Sequence, residues 1–195
     1  MSKSYDAGSS LSQKIIAGVD KLADNVASTL GPRGRNVIIK QAGKRPIITK
    51  DGVTVAEFVD LDDPFEDVGA QIIKQASRQT NTVAGDGTTT ATVLARAILH
   101  GAQRHIVAGA SPIDVKREID ATVEDYVKNL KEMARPIQSE EDIAHIATIS
   151  ANNDETIGKL VAKAVDCVGK DGSISVEEAR SLETSLDLTE GFRFD

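Results

Sequence analysis

The chain has 195 residues, of which 40% are hydrophobic and 27% charged, and a formal net charge of −7. This is the composition of a folded protein with a sizeable core, not of a disordered segment. The acidic balance excludes a general polyanion binder, and the absence of Trp beside only four Phe and two Tyr excludes a base-stacking platform, so no nucleic-acid partner is expected.

The polar start, Met1 to Gln13, has no apolar h-region and no run approaches transmembrane length, so neither secretion nor a membrane is expected. Leu11 to Leu30 reads as an amphipathic helix, with Leu11, Ile15, Val19, Leu22, Val26 and Leu30 near one face. Gly31-Pro32 stops it. Two short apolar runs follow, Val37-Ile38-Ile39 and Ile47-Ile48-Thr49, as a hairpin with a longer loop, and Asp51-Gly52 is expected to close the second strand as a turn.

Pro64 opens a second helix through about Asn81. A third runs from about Thr88 to Val107. Ser111-Pro112 starts a fourth, with Val115, Ile119, Val123, Val127 and Leu130 on its apolar face. Pro136 breaks the pattern and is the expected domain boundary. Ser139 with Asp142 three residues on resembles a capping box, and a further helix is expected from Asp154 to Val168. Cys167, the only cysteine, excludes an internal disulfide, fits a reducing cytoplasmic interior and is expected to be a buried structural thiol. Ile174/Val176 and Leu182/Leu186/Leu188 read as two β segments. His100 and His105 sit near a helix end, where a solvated or capping role is expected. An EF-hand over Asp171, Gly172 and Glu178 fails, because Cys167 and Gly169 would fall at ligand positions and supply no side-chain oxygen. The fold class is mainly α with small β-hairpins (α+β).

Gly85-Asp86-Gly87-Thr88-Thr89-Thr90 carries the chemistry. Glycines admit backbone amides to an anion, and the following helix presents unpaired N–H groups. Asp86, among groups suited to phosphates, suits a magnesium ion. The hexapeptide alone also describes a polar turn with a threonine cap. Two further loops could join it: Thr29 to Asn36, with Gly31, Gly34, Arg33 and Arg35, and Ile48-Thr49-Lys50-Asp51-Gly52. Each alone is also an ordinary turn. Neither a Walker A loop nor a dinucleotide fingerprint is present.

The three loops, in this order and spacing, resemble the nucleotide site of group I chaperonins (the GroEL/Hsp60 family). Leu22-Ala23-Asp24, Phe65 to Gln71, Thr88 to Leu94, Thr148 to Asn152 and Val168-Gly169-Lys170 are similar to that family as well, and the likeness runs from about Leu11 to Asp195. The resemblance implies an equatorial ATP-binding domain, N-terminal half, over residues 1–135, as a helical bundle. It further implies the first segment of an intermediate domain over 136–190 and the start of an apical-domain boundary over 191–195, with Pro136 and Gly191 as hinges.

By the same resemblance Leu30, Gly31 and Pro32 would line the adenine and ribose. Gly87, Thr88, Thr89 and Thr90 would hold phosphates, and Asp86 would bind Mg²⁺. Thr29, Thr89 and the Lys50 carbonyl would surround K⁺, and Asp51 would orient or activate the attacking water. Ile149, Ser150 and Ala151 would contact the pocket from the intermediate domain. The implied activity is that of an ATP-dependent folding chaperone, a subunit of a homo-oligomeric ring acting on non-native client proteins with a GroES-like co-chaperonin. The alternative is a naturally short, non-catalytic chain that associates with or modulates full-length rings.

Overall fold

The computed structural model describes residues 5–41, 43–169, 172–177, 184–189 and 191. The elements in order are α1 (Gly8–Ala27), β1 (Val37–Ile39), β2 (Ile47–Thr49), α2 (Gly52–Glu57), α3 (Pro64–Ala84), α4 (Thr88–Val107), α5 (Pro112–Met133), α6 (Glu140–Ser150) and α7 (Glu155–Val168). Two compact units divide the chain, residues 1–126 and 127–195. The fold is mostly helical with a small antiparallel sheet, as the sequence predicts. Among the described residues no helix is long and apolar enough to cross a membrane.

In the first unit α1 packs on α3 and α4, and α2 lies against all three. Val19, Leu22 and Val26 of α1 meet Val55 and Ala56 of α2 and Ala70 and Ile73 of α3 in one buried cluster, flanked by Val37, Val59, Leu61, Ala95 and Leu99. Burying each of the larger aliphatics contributes about 1.5–3 kcal/mol. The α1–α3 contact is made backbone to backbone. A Cβ at Gly18 would come 1.8 Å from the Glu66 carbonyl oxygen, and one at Gly69 would come 2.0 Å from that of Ile15. Only hydrogen in place of a side chain admits both approaches.

Helix α3 begins where the sequence predicts: Pro64 occupies its first turn and the Asp63 carboxylate accepts from the amides of Phe65 and Glu66. These amides hold the Asp63 carboxyl below its ordinary range, and Lys14 at 3.2 Å adds to the effect. The hairpin pairs Val37 with Thr49, Ile38 with Ile48 and Ile39 with Ile47. The His100 side chain is partly exposed, and its Nε2 lies 2.7 Å from Asp20 Oδ1, across to α1.

Helix α5 buries none of its residues, and Ile113, Tyr126, Leu130 and Met133 are well over half exposed. In the second unit α6 and α7 pack as a helical hairpin. The capping box is present: Asp142 donates its amide to Ser139 Oγ, and its carboxylate accepts from the Ser139 amide. Asn152 and Asn153 turn the chain between the helices with φ of 56° and 67°, a region these short amides tolerate.

Three expectations are corrected. Asp51-Gly52 is not a simple turn, because Asp51 is the N-cap of α2. Residues 172–177 and 184–189 contain no strand, and Val176 is 91% exposed; a short alternating segment without an apolar surface beneath it is not held as a strand. Leu182, Asp171 and Glu178 lie outside the described residues. Cys167 is exposed, because on α7 it falls off the stripe of Val161, Ala164, Val165 and Val168, one turn after exposed Lys163.

Candidate functional site

The glycine loop joins α3 to α4. Gly85 ends α3 with φ 70° and Gly87 precedes α4 with φ 79°, left-handed conformations that glycine adopts without strain. Asp86 between them accepts the Gly87 amide on Oδ1 at 2.6 Å, which draws its carboxylate toward the start of α4. Helices α2, α3, α6 and α7 each have an Asp or Ser N-cap side chain on their first amides, whereas the N-cap of α4 is Gly87, which has no side chain to offer. The N–H groups of its first turn, at Thr88, Thr89 and Thr90, have no acceptor within the helix. Together with the helix dipole they form a place for an anion.

The other two loops reach the same helix start at Thr89. Thr29, buried in the turn after α1, donates its hydroxyl to the Val26 carbonyl at 2.8 Å. Its single proton is thereby used, so Thr89 is the donor in the 3.4 Å approach of the two hydroxyls. From the third loop, a Cβ at Gly52 would lie 2.0 Å from Thr89 Oγ1. This contact seats the start of α2, and with it Asp51, beside the start of α4.

Asp51 accepts the Thr54 amide at 2.8 Å and the Thr54 hydroxyl, both on Oδ2. Oδ1 has no hydrogen bond among the described residues. Lys50 is exposed between Thr49 and Asp51, and Leu30, Gly31 and Pro32 line the exposed turn after Thr29. Ile149 and Ser150 lie at the end of α6, in the second unit.

Two residues of this arrangement were not singled out as site residues from the sequence, Gly52 and Thr54. The capping spacing Asp51-x-x-Thr54 is the signal that could have found them. The donor set is all oxygen: the carboxylates of Asp51 and Asp86 and several hydroxyls, suited to hard cations. Among the described residues no three His, Cys, Asp or Glu converge, so a magnesium ion at Asp86 would need oxygens from a bound phosphate. A groove of about 610 Å³ between α4 and α5 is lined by apolar residues such as Ile98, Ala102, Ile119 and Val123, with none from the three loops.

The TCP-1/cpn60 chaperonin family model matches residues 22–193. The chain belongs to this family. Among solved chaperonin structures, a group III chaperonin in the open state superposes with a TM-score of 0.67 at 26% identity, covering 81% of this chain and 31% of that one. The chaperonin gp146 from the bacteriophage EL 2 (Pseudomonas aeruginosa), crystallised in the presence of ATP-BeFx, gives a TM-score of 0.66 at 29% identity and covers 80% and 28%. The chain thus spans under a third of the length of either chaperonin.

Proposed function

We propose that this chain is the nucleotide-binding part of an ATP-dependent folding chaperonin of the group I kind. The observation that carries the reading is the meeting of three loops at Thr89: the Thr29 hydroxyl at 3.4 Å, Gly52 against its side chain, and the start of α4 behind its Gly87 N-cap. Residues 1–135 would be the equatorial portion, 136–190 the first intermediate segment and 191–195 the approach to the apical domain, with hinges at Pro136 and Gly191. Such a subunit would work in the cytoplasm, in a homo-oligomeric ring that encloses non-native proteins under a GroES-like co-chaperonin.

In this reading the amides and hydroxyls of Gly87, Thr88, Thr89 and Thr90 bind the phosphates, and Leu30, Gly31 and Pro32 cover the adenine and ribose. Magnesium held by Asp86 would supply charge neutralisation on the phosphate oxygens. Thr29, Thr89 and the Lys50 carbonyl offer hard oxygens for potassium. Asp51 accepts a hydrogen bond from the attacking water through Oδ1 and orients it, while Thr54 fixes Oδ2. Catalysis of this type rests on positioning and charge more than on covalent chemistry.

Calorimetric titration of the chain with ATP, with and without magnesium, tests the reading. Magnesium-dependent binding that is lost in Asp86→Ala supports it. Binding that is absent, or unchanged by Asp86→Ala, overturns it.

A further inference from the structure

Helix α2 has six residues and is about 9 Å long, too short to hold its own shape in water. Asp51 is its first anchor point, so whatever fixes α2 also fixes the carboxylate proposed to orient the water. Val55 and Ala56 sink into the core, which resists withdrawal of the helix but leaves its tilt open. Gly52 against Thr89 fixes one end. The other end is held from α3, by two residues one turn apart on the same face.

Lys74 is 2% exposed, and its Nζ donates to the main-chain carbonyl of Glu57, the last residue of α2, at 3.3 Å. The same ammonium reaches Asp60 Oδ1 at 3.3 Å in the segment that leaves the helix, where Asp60 is itself largely exposed. Arg78 grips the Glu57 carboxylate through both Nε and Nη2, and this pairing holds the Glu57 carboxyl below its ordinary range. Glu57 is therefore tied twice, by main chain and by side chain. A lysine is rarely this buried, and an apolar residue would fill the same space without the cost of desolvating a charge. What the ammonium adds is a directional hold on the Glu57 carbonyl and on Asp60 just beyond it.

We infer that Lys74 is a positioning residue for Asp51, acting through the far end of α2, with Arg78 as its surface partner. The inference rests on the reading of Asp51 above, but its first test does not. Hydrogen exchange on the chain reads the helix directly at two amides, Thr54 bonded to the Asp51 carboxylate and Val55 bonded to the Asp51 carbonyl. Lys74→Met keeps the aliphatic volume and removes the hold. Exchange at Thr54 and Val55 is expected to accelerate about tenfold, while Ala91 in the first turn of α4 stays unchanged. Exchange at both amides within about twofold of the parent overturns the inference.

If Lys74→Met loosens α1 and α4 as well, Arg78→Met decides, because Arg78 is half exposed and its loss spares the core. A smaller acceleration confined to Thr54 and Val55 then supports the hold on α2, and none overturns it. In the ATP-hydrolysing protein, Lys74→Met is expected to lower kcat about tenfold or more with KM little changed. Lys74→Arg should restore part of the loss. In an Asp51→Asn background Lys74→Met should cause no further loss, whereas a merely structural lysine would lower the residual rate again. Absence of any hydrolysis by the parent protein would sink the nucleotide reading and leave the exchange result standing.

Discussion

Gly52 and Thr89 touch so closely that a Cβ on residue 52 would lie 2.0 Å from the Thr89 hydroxyl oxygen. This contact joins the start of α2 to the start of α4, and so couples Asp51 to the first-turn amides of α4. Gly52→Ala should push the two helix starts apart. The expected cost is about 1–3 kcal/mol, as for other overpacked sites. Urea unfolding should show it, and Gly52→Ala/Thr89→Ala should recover part because the nearest atom is gone. A Gly52→Ala protein as stable as its parent would contradict the contact.

Asp51→Asn separates charge from shape. Asparagine caps a helix about as well as aspartate, so α2 should persist and the thermal midpoint should hardly move. In the ATP-hydrolysing protein proposed above, turnover should fall about 10²- to 10⁴-fold with nucleotide affinity nearly intact, as for loss of a group acting mainly in the transition state. Parallel measurement of ATP affinity and single-turnover hydrolysis separates the two effects. Equal loss of both would place Asp51 in binding instead.

The glycines at the α1–α3 crossing reverse the usual sign of a helix substitution. In a helix interior Ala is favoured over Gly by about 1 kcal/mol. Here Gly18→Ala would drive a methyl into the Glu66 carbonyl and Gly69→Ala into that of Ile15. Each should destabilise by roughly 1–3 kcal/mol or more. The double variant should cost less than the sum, since the first already separates the helices. Denaturant midpoints of the three proteins decide the matter; a stabilised single variant would refute the close crossing.

Asp63 gives a pH dependence with a definite sign. Its carboxyl is held below the ordinary value of 3.8, first by the Phe65 and Glu66 amides. A lowered folded value means that the stabilisation is present above about pH 4 and is lost as pH falls below it. Asp63→Asn keeps a cap that does not titrate, so its stability should fall less steeply between about pH 5 and 3. Unfolding curves at several acid pH values test this, and parallel slopes for the two proteins would count against it.

Of α6 only the capping box was read; helices α1, α3, α4, α5 and α7 were legible from apolar stripes and boundary signals such as Gly31-Pro32 after α1, Pro64 before α3 and Pro112 before α5. Helix α2 was not. Val53, Thr54 and Val55 are β-branched and suit a strand, and the helix exists because Val55 and Ala56 find a buried place between α1 and α3. The segment with Ile174 and Val176 failed the other way, since alternation specifies a strand only where a sheet is there to receive it. For the candidate site, the composition of each loop was readable in the chain. Their convergence was implied only by the family resemblance, because it depends on how α1, α3 and α4 pack, and the α1–α3 crossing rests on two glycines whose importance shows only when Glu66 and Ile15 lie against them.

Helix α5 has one more consequence. Twenty-two residues with none buried have little beyond their own backbone bonds to keep them helical, and such a helix is marginal in water. Lys116, Arg117, Lys128 and Lys131 are all exposed along it. Brief trypsin treatment should therefore cut within α5 before it reaches α1, α3 or α4. The helices packed around Leu22 would resist longest, even where exposed loop residues such as Lys50 are cut, marking the part of the chain that holds itself together.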